Sequence, residues 1–131
     1  MNLNNEQQEL FELGVELYEL HERQELNDTP PFFAEVRKQL YKSFVALVIS
    51  LDISNEEEVA RFEGIKDYEE LLNTFPKDHP SREYYKGILN LTPTVKACVT
   101  CDFKITMVHF FRLLNEAIQS NQANMVSGNN E

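Results

Sequence analysis

Apolar residues recur along most of this chain at spacings of three and four, the period of an amphipathic helix. Between Asn5 and Glu25, Leu10, Phe11, Leu13, Gly14, Val15, Leu17, Tyr18 and Leu20 project onto one broad arc. Glu9, Glu12, Glu16 and Glu19 project onto the opposite one. The division predicts a first helix with one solvated face. So wide an apolar arc points to contact with more than one neighbouring element, and it is equally compatible with one side of a homo-oligomer interface. His21 falls inside the same arc. Asn27-Asp28-Thr29-Pro30-Pro31 stops this helix and starts the next, because proline suits a first helical turn. Phe33, Val36, Leu40, Phe44, Leu47, Val48 and Leu51 then mark the clearest amphipathic helix in the chain.

Ser54-Asn55-Glu56-Glu57 reads as a capping box, with Ser54 at the N-cap and Glu57 reaching back. After Gly64 the apolar phase slips to Ile65, Tyr68, Leu72 and Phe75, which predicts either a kink at Gly64 or two short helices. Pro76 to Pro80 is a loop, and Ser81 can cap a short helix through Asn90 that presents Tyr84, Tyr85, Ile88 and Leu89. The segment from Val95 to Met107 carries two periods at once. Its odd positions alternate apolar in the manner of a strand, while Val95, Val99, Phe103, Met107, Phe110 and Leu114 continue a helical stripe. A lone strand has no partner elsewhere in the chain, and Thr92-Pro93 is a good helix start. One long, largely buried helix from about Pro93 to Gln119 is therefore expected. The fold class that follows is all-α: a single compact domain of five or six helices over residues 1–119, with residues 120–131 as a disordered polar tail.

Composition supports this picture. Nine Phe and five Tyr supply core volume, while four Gly and no Trp fit helices better than many short strands. Two cysteines and an opening, Met1-Asn2-Leu3-Asn4-Asn5-Glu6, without a basic-then-apolar leader pattern suggest a reducing, cytoplasmic setting. The run Phe44–Ile49 is far too short to span a membrane.

Charge changes the picture more. Residues 1–70 carry 17 acidic against 6 basic side chains, whereas residues 71–131 carry 5 against 6. A field of one sign on one half disfavours bare nucleic acid and anionic membranes and favours a basic protein partner.

Cys98-Val99-Thr100-Cys101 is the one motif with an enzymatic reading, since two thiols at this spacing can close a redox disulfide. In an all-α setting the pattern resembles the alkylhydroperoxidase-D family, whose reactive pair sits on a helix. That resemblance implies a His four residues after the second Cys and an upstream Glu. Here those positions hold Ile105 and Lys86, and His109 lies a full turn too far on. Without those supporting groups, two soft residues packed in a core helix is the expectation. Zinc would need a second closely spaced pair, which the chain lacks, and no His has a Glu three residues before it, as carboxylate-bridged di-iron bundles require. The Glu-x-x-Glu spacings of the first helix form its solvated face, and no phosphate loop or nucleophile elbow is present. No cofactor and no metal are expected, and His21 and His109 are read as hydrogen-bonded core or helix-end residues.

His79-Pro80-Ser81 followed by Tyr84-Tyr85 resembles the corresponding segment of the nuclease-colicin immunity proteins, which are small, acidic and helical. The resemblance implies a tyrosine pair that anchors a protein partner, although the gap between the two parts is shorter here and the rest of the chain does not align.

Three functions follow. The first is a non-catalytic protein-binding module of the inhibitor or immunity type. In it Glu9, Glu12, Glu16, Glu19, Glu56, Glu57 and Glu58 supply the field and Tyr84 and Tyr85 the anchors. The second is a thiol-disulfide or peroxide-handling enzyme built on Cys98 and Cys101. The third is a helical subunit of a larger protein or ribonucleoprotein assembly, which would need Lys77, Arg82, Lys86, Lys96, Lys104 and Arg112 to gather into a patch.

Overall fold

A computed structural model describes the backbone of residues 3–25 and 30–129 and the side chains of 3–22 and 30–120. Within them the protein is all-α, with seven helices and no strand: α1 (Asn5–Glu25), α2 (Pro31–Leu51), α3 (Glu56–Val59), α4 (Ile65–Leu72), α5 (Pro80–Leu89), α6 (Pro93–Thr100) and α7 (Phe103–Asn129).

Helix α2 is the axis of the molecule. Its first turns lie at the surface, but Leu40, Tyr41 and every residue from Ser43 to Ile49 are buried. A helix enclosed on all sides must have neighbours on all sides. Here α5 packs along one flank, while α1 and α7 pack together on the other. Its end is a Schellman turn: Asp52 takes the left-handed conformation (φ 54°, ψ 40°), and the N–H groups of Asp52 and Ile53 bond back to Ile49 and Val48.

Helix α1 runs over the predicted residues and is capped by Asn4, whose side chain accepts from the Gln7 N–H at 2.9 Å while Gln7 returns a bond to the Asn4 N–H. Its buried line is Phe11, Gly14, Tyr18 and Glu22. Leu13 and Leu17 lie half-buried on the flank and Leu20 is exposed. Gly14 sets the spacing. Its carbonyl accepts from the Tyr41 hydroxyl at 2.8 Å, and a Cβ there would stand 2.9 Å from Leu114 Cδ1. Tyr18 stacks on Tyr41 at 4.3 Å, and Phe110 meets both rings edge-on.

The structure differs from expectation in three places. The cap of α3 is one residue later than predicted: Asn55, not Ser54, accepts from the Glu58 N–H, and its amide reaches the Glu58 carboxylate. Gly64 separates two short helices, one of the two expected outcomes, and is itself the N-cap of the second. The single long helix predicted from Pro93 is broken at Cys101-Asp102, giving α6 and α7. The turn lets Phe103 pack against Phe62 and Tyr68, which a straight continuation of α6 would not require. Helix α7 then continues to Asn129, past the Gln119 end that the apolar stripe predicts.

Candidate functional site

The charge asymmetry of the sequence is partly cancelled by the fold. Three bases from α6 and α7 reach back to acids of the α3–α4 region. Arg112 makes a two-pronged contact with Glu56 at 2.7 and 3.0 Å, Lys104 lies 3.4 Å from Glu63, and Lys96 pairs with Glu69. The first contact holds the Glu56 carboxyl below its usual range. Lys86 is taken up within its own helix by Glu83 at 2.9 Å. Glu58 belongs to the α3 cap, and Glu57 is exposed.

On α1 the outcome is different. Glu19 pairs with Lys38 at 2.8 Å, and Glu12 accepts, among the described residues, from Gln8, its neighbour one turn back. Glu6, Glu9 and Glu16 are exposed and meet no ion-pair or hydrogen-bond partner among the described residues. Their spacing places them with Glu12 along the outer side of the helix, opposite Phe11, Gly14 and Tyr18. This line of carboxylates is an open part of the acidic field, to which exposed Glu57 and Glu70 also belong.

The tyrosine pair is split. Tyr85 is 1% exposed and donates to Glu69 at 2.8 Å; burial first, and that carboxylate second, push its phenol well above the ordinary value. It is a core residue, and the expectation that it anchors a partner at the surface is corrected on that ground. Tyr84 remains half-buried at the edge, stacked on Phe11 at 5.5 Å with the Lys42 ammonium over its ring. Two adjacent residues on a helix point about 100° apart, so burial of one turns the other outward.

His79 is buried, and the loop reading of its surroundings misses its role. It is the N-cap of α5: Nδ1 accepts from the Ser81 N–H at 3.2 Å and from the Ser81 hydroxyl at 2.7 Å. Two donors at Nδ1 leave the proton on Nε2, which donates to Ser50 Oγ at 3.0 Å. Ser43 donates to the Ser81 carbonyl at 2.7 Å and accepts from Tyr68 at 2.8 Å. The chain of bonds ties α2, α4 and α5 together with every member satisfied, and burial holds the His79 imidazole below its ordinary value. The Pro80-Ser81 sequence after a His offers the only signal for it.

His21 is exposed, contrary to its place in the apolar arc, and Glu22 is buried instead. Arg37 of α2 and His109 of α7 each approach the Glu22 carboxylate at 3.4 Å, and Arg37 also lies over the Phe110 ring. A paired guanidinium is what makes a carboxylate tolerable there.

Cys98 and Cys101 are both exposed and free, so the expectation of two thiols packed in a core helix is corrected. The break after Thr100 is the reason: the buried positions fall to Thr100 and Phe103 on either side. Of the six bases, Lys77, Arg82 and Lys86 line a cleft of about 390 Å³ between α4 and α5, together with Glu69, Asp78, Glu83 and Leu89, while Lys104 and Arg112 line a separate depression with Arg37 and His109. Among the described residues no three of His, Cys, Asp and Glu gather as a metal site would need, and no helix is long and apolar enough to cross a membrane. Compared with known proteins, the chain matches no family model, no curated relative and no solved structure.

Proposed function

We propose that this protein is a non-catalytic binding module that docks the outer face of α1 onto a basic protein surface and occludes it. The observation that carries this reading is the uneven fate of the acids: Glu56, Glu63 and Glu69 are matched by bases of α6 and α7, while Glu9, Glu12 and Glu16 face solvent without a basic partner among the described residues. A line of like charge held on a helix that is itself locked into the core, by Tyr18, Tyr41 and the close approach at Gly14, is pre-organised. Its side chains do not have to be drawn away from internal pairs on binding. Attraction of this kind acts mainly on the association rate and on the choice of partner. Tyr84, at the α5 edge, stacks on Phe11 of the inner side of α1 and so lies away from the acidic line.

The test is affinity capture from host lysate with the wild-type chain and with the triple variant Glu9→Lys/Glu12→Lys/Glu16→Lys, each at low salt and at about 1 M salt, where the screening length falls to about 3 Å. A basic protein held by the wild type at low salt, and lost both with the variant and at high salt, supports the reading. A partner held equally well by both chains refutes it.

A further inference from the structure

We propose that Cys98 and Cys101 form a reversible intramolecular disulfide by exchange with a small-molecule disulfide, making the α6–α7 turn a redox-modifiable site. This stands apart from α1 and from the docking reading.

Geometry comes first. Cys98 lies in the last turn of α6, and Cys101 caps it with φ −61° and ψ −30°, so the backbone remains right-handed helical through the second cysteine. Residues three apart on such a backbone share a face, with Cα atoms about 5 Å apart from helix rise and radius. That lies inside the roughly 4.4–6.8 Å window of known disulfides. The Cβ atoms are the obstacle. A regular helix holds them about 5–6 Å apart, against the roughly 3.5–4.5 Å a bridge needs.

The backbone can close that gap here because the helix ends between the two thiols. Helix α6 stops at Thr100, α7 begins at Phe103, and the Cys101 N–H makes none of the backward cap bonds seen at the ends of α2, α4 and α5. The ends of the turn are held. Thr100 is buried and donates to the Lys96 carbonyl at 2.7 Å, and Phe103 is buried against Tyr68 and Phe62. Two exposed thiols, a helix end without a backward cap bond at Cys101 and fixed residues at both sides bring the sulfurs together at high effective concentration without moving the core.

The exchange balances as follows. One cysteine sulfur, having given up its proton, attacks a sulfur of the disulfide RSSR. Its S–S bond breaks, a cysteine–SR mixed disulfide forms, and RS⁻ leaves and takes up the proton. The second cysteine, also deprotonated, attacks the protein sulfur of that mixed disulfide, the Cys98–Cys101 bond forms, and the second RS⁻ leaves as RSH. The protein loses two electrons and two protons, and RSSR becomes two RSH.

The experiment equilibrates the folded full chain with glutathione and glutathione disulfide at a series of ratios. Acid quenching, alkylation and intact-mass measurement then count thiols, bridges and adducts. In the wild type both thiols are expected to disappear together into an internal bridge that excess reduced glutathione reopens. The single variants Cys98→Ser and Cys101→Ser are each expected to hold a glutathione adduct that survives about tenfold longer than any adduct on the wild type. A second probe, the trivalent arsenical phenylarsine oxide, reads the spacing without oxidation. It is expected to bind the reduced wild type one to one and neither single variant. Wild-type thiols that stay alkylatable at the most oxidising ratio overturn the proposal. Stable glutathione adducts on both cysteines without a bridge, or no arsenical capture, do the same.

Discussion

Glu6, Glu9 and Glu16 of α1 and Glu56, Glu63 and Glu69 of the α3–α4 region come from the same acidic half of the chain, yet these two sets meet opposite fates. Glu56, Glu63 and Glu69 are each answered by a base from the other half, so their charge is spent on joining distant parts of the chain. Glu6, Glu9 and Glu16 on α1 meet no such base among the described residues. Helix α1 packs on α2 and α7 through Gly14 and Tyr18, and Phe11 stacks on Tyr84 of α5, which leaves the acidic side of α1 turned outward. Net charge along a sequence is thus not the same as open field on a surface. The difference between the two regions is where the basic half of the chain comes to rest.

Substitutions that break this contrast should separate binding from stability. The largest effect is expected from Glu9→Lys/Glu12→Lys/Glu16→Lys, which should slow association with the basic partner by about tenfold or more, because steering changes on-rates by 10 to 10³. The thermal midpoint should hold, since exposed substitutions away from special features usually stay within about 0.5 kcal/mol. Calorimetry showing a large loss would mean that these carboxylates hold the fold. Next is the inner face of the same helix. Gly14→Val should cost about 3 kcal/mol by denaturant unfolding, because its Cβ would crowd buried Leu114 and the Tyr41 hydroxyl. An unchanged midpoint would show that α1 is not tightly seated.

On the paired side, Glu69→Ala should cost about 1–2 kcal/mol, since it leaves the Tyr85 hydroxyl buried without an acceptor and frees Lys96. Partner binding should not change with it; a binding loss as large as that of the α1 variant would erase the distinction between the two regions. The mildest effect belongs to pH. The unfolded chain protonates His79 near its ordinary value, about 6.5, while the folded chain resists that proton. Stability is therefore fully present above that value and declines as pH falls below it. Unfolding curves across this range for wild type and His79→Gln should show a shallower acid decline in the variant. Identical slopes would remove His79 from the account.

The sequence pattern was a good guide where a helix has one wet face and clear punctuation. The bounds of α1, the Pro30-Pro31 start of α2 and the break at Gly64 all carried local signals. The misses share a cause. A broad apolar arc says which side of a helix is buried but not which line lies deepest, so the pattern places His21 inward and gives no sign of Glu22. Only the positions of Arg37 and His109 reverse that assignment. The turn at Cys101-Asp102 has no glycine or proline, and Val99, Phe103 and Met107 carry the stripe straight across it. Its signal is tertiary: the aromatic pocket of Phe62 and Tyr68 that receives Phe103. In the same way Tyr84 and Tyr85 are alike in sequence and differ through the packing of α5, which buries Tyr85 against Tyr68 and Glu69.

The most direct measurement is the association rate of the purified chain with its captured basic partner, followed as ionic strength rises. If α1 steers the encounter, the rate falls steeply with salt for the wild type, and the Glu9/Glu12/Glu16 variant starts low and stays flat. A wild-type rate indifferent to salt, or a variant that tracks the wild type at every ionic strength, would contradict the claim that the open acids of α1 are the docking face.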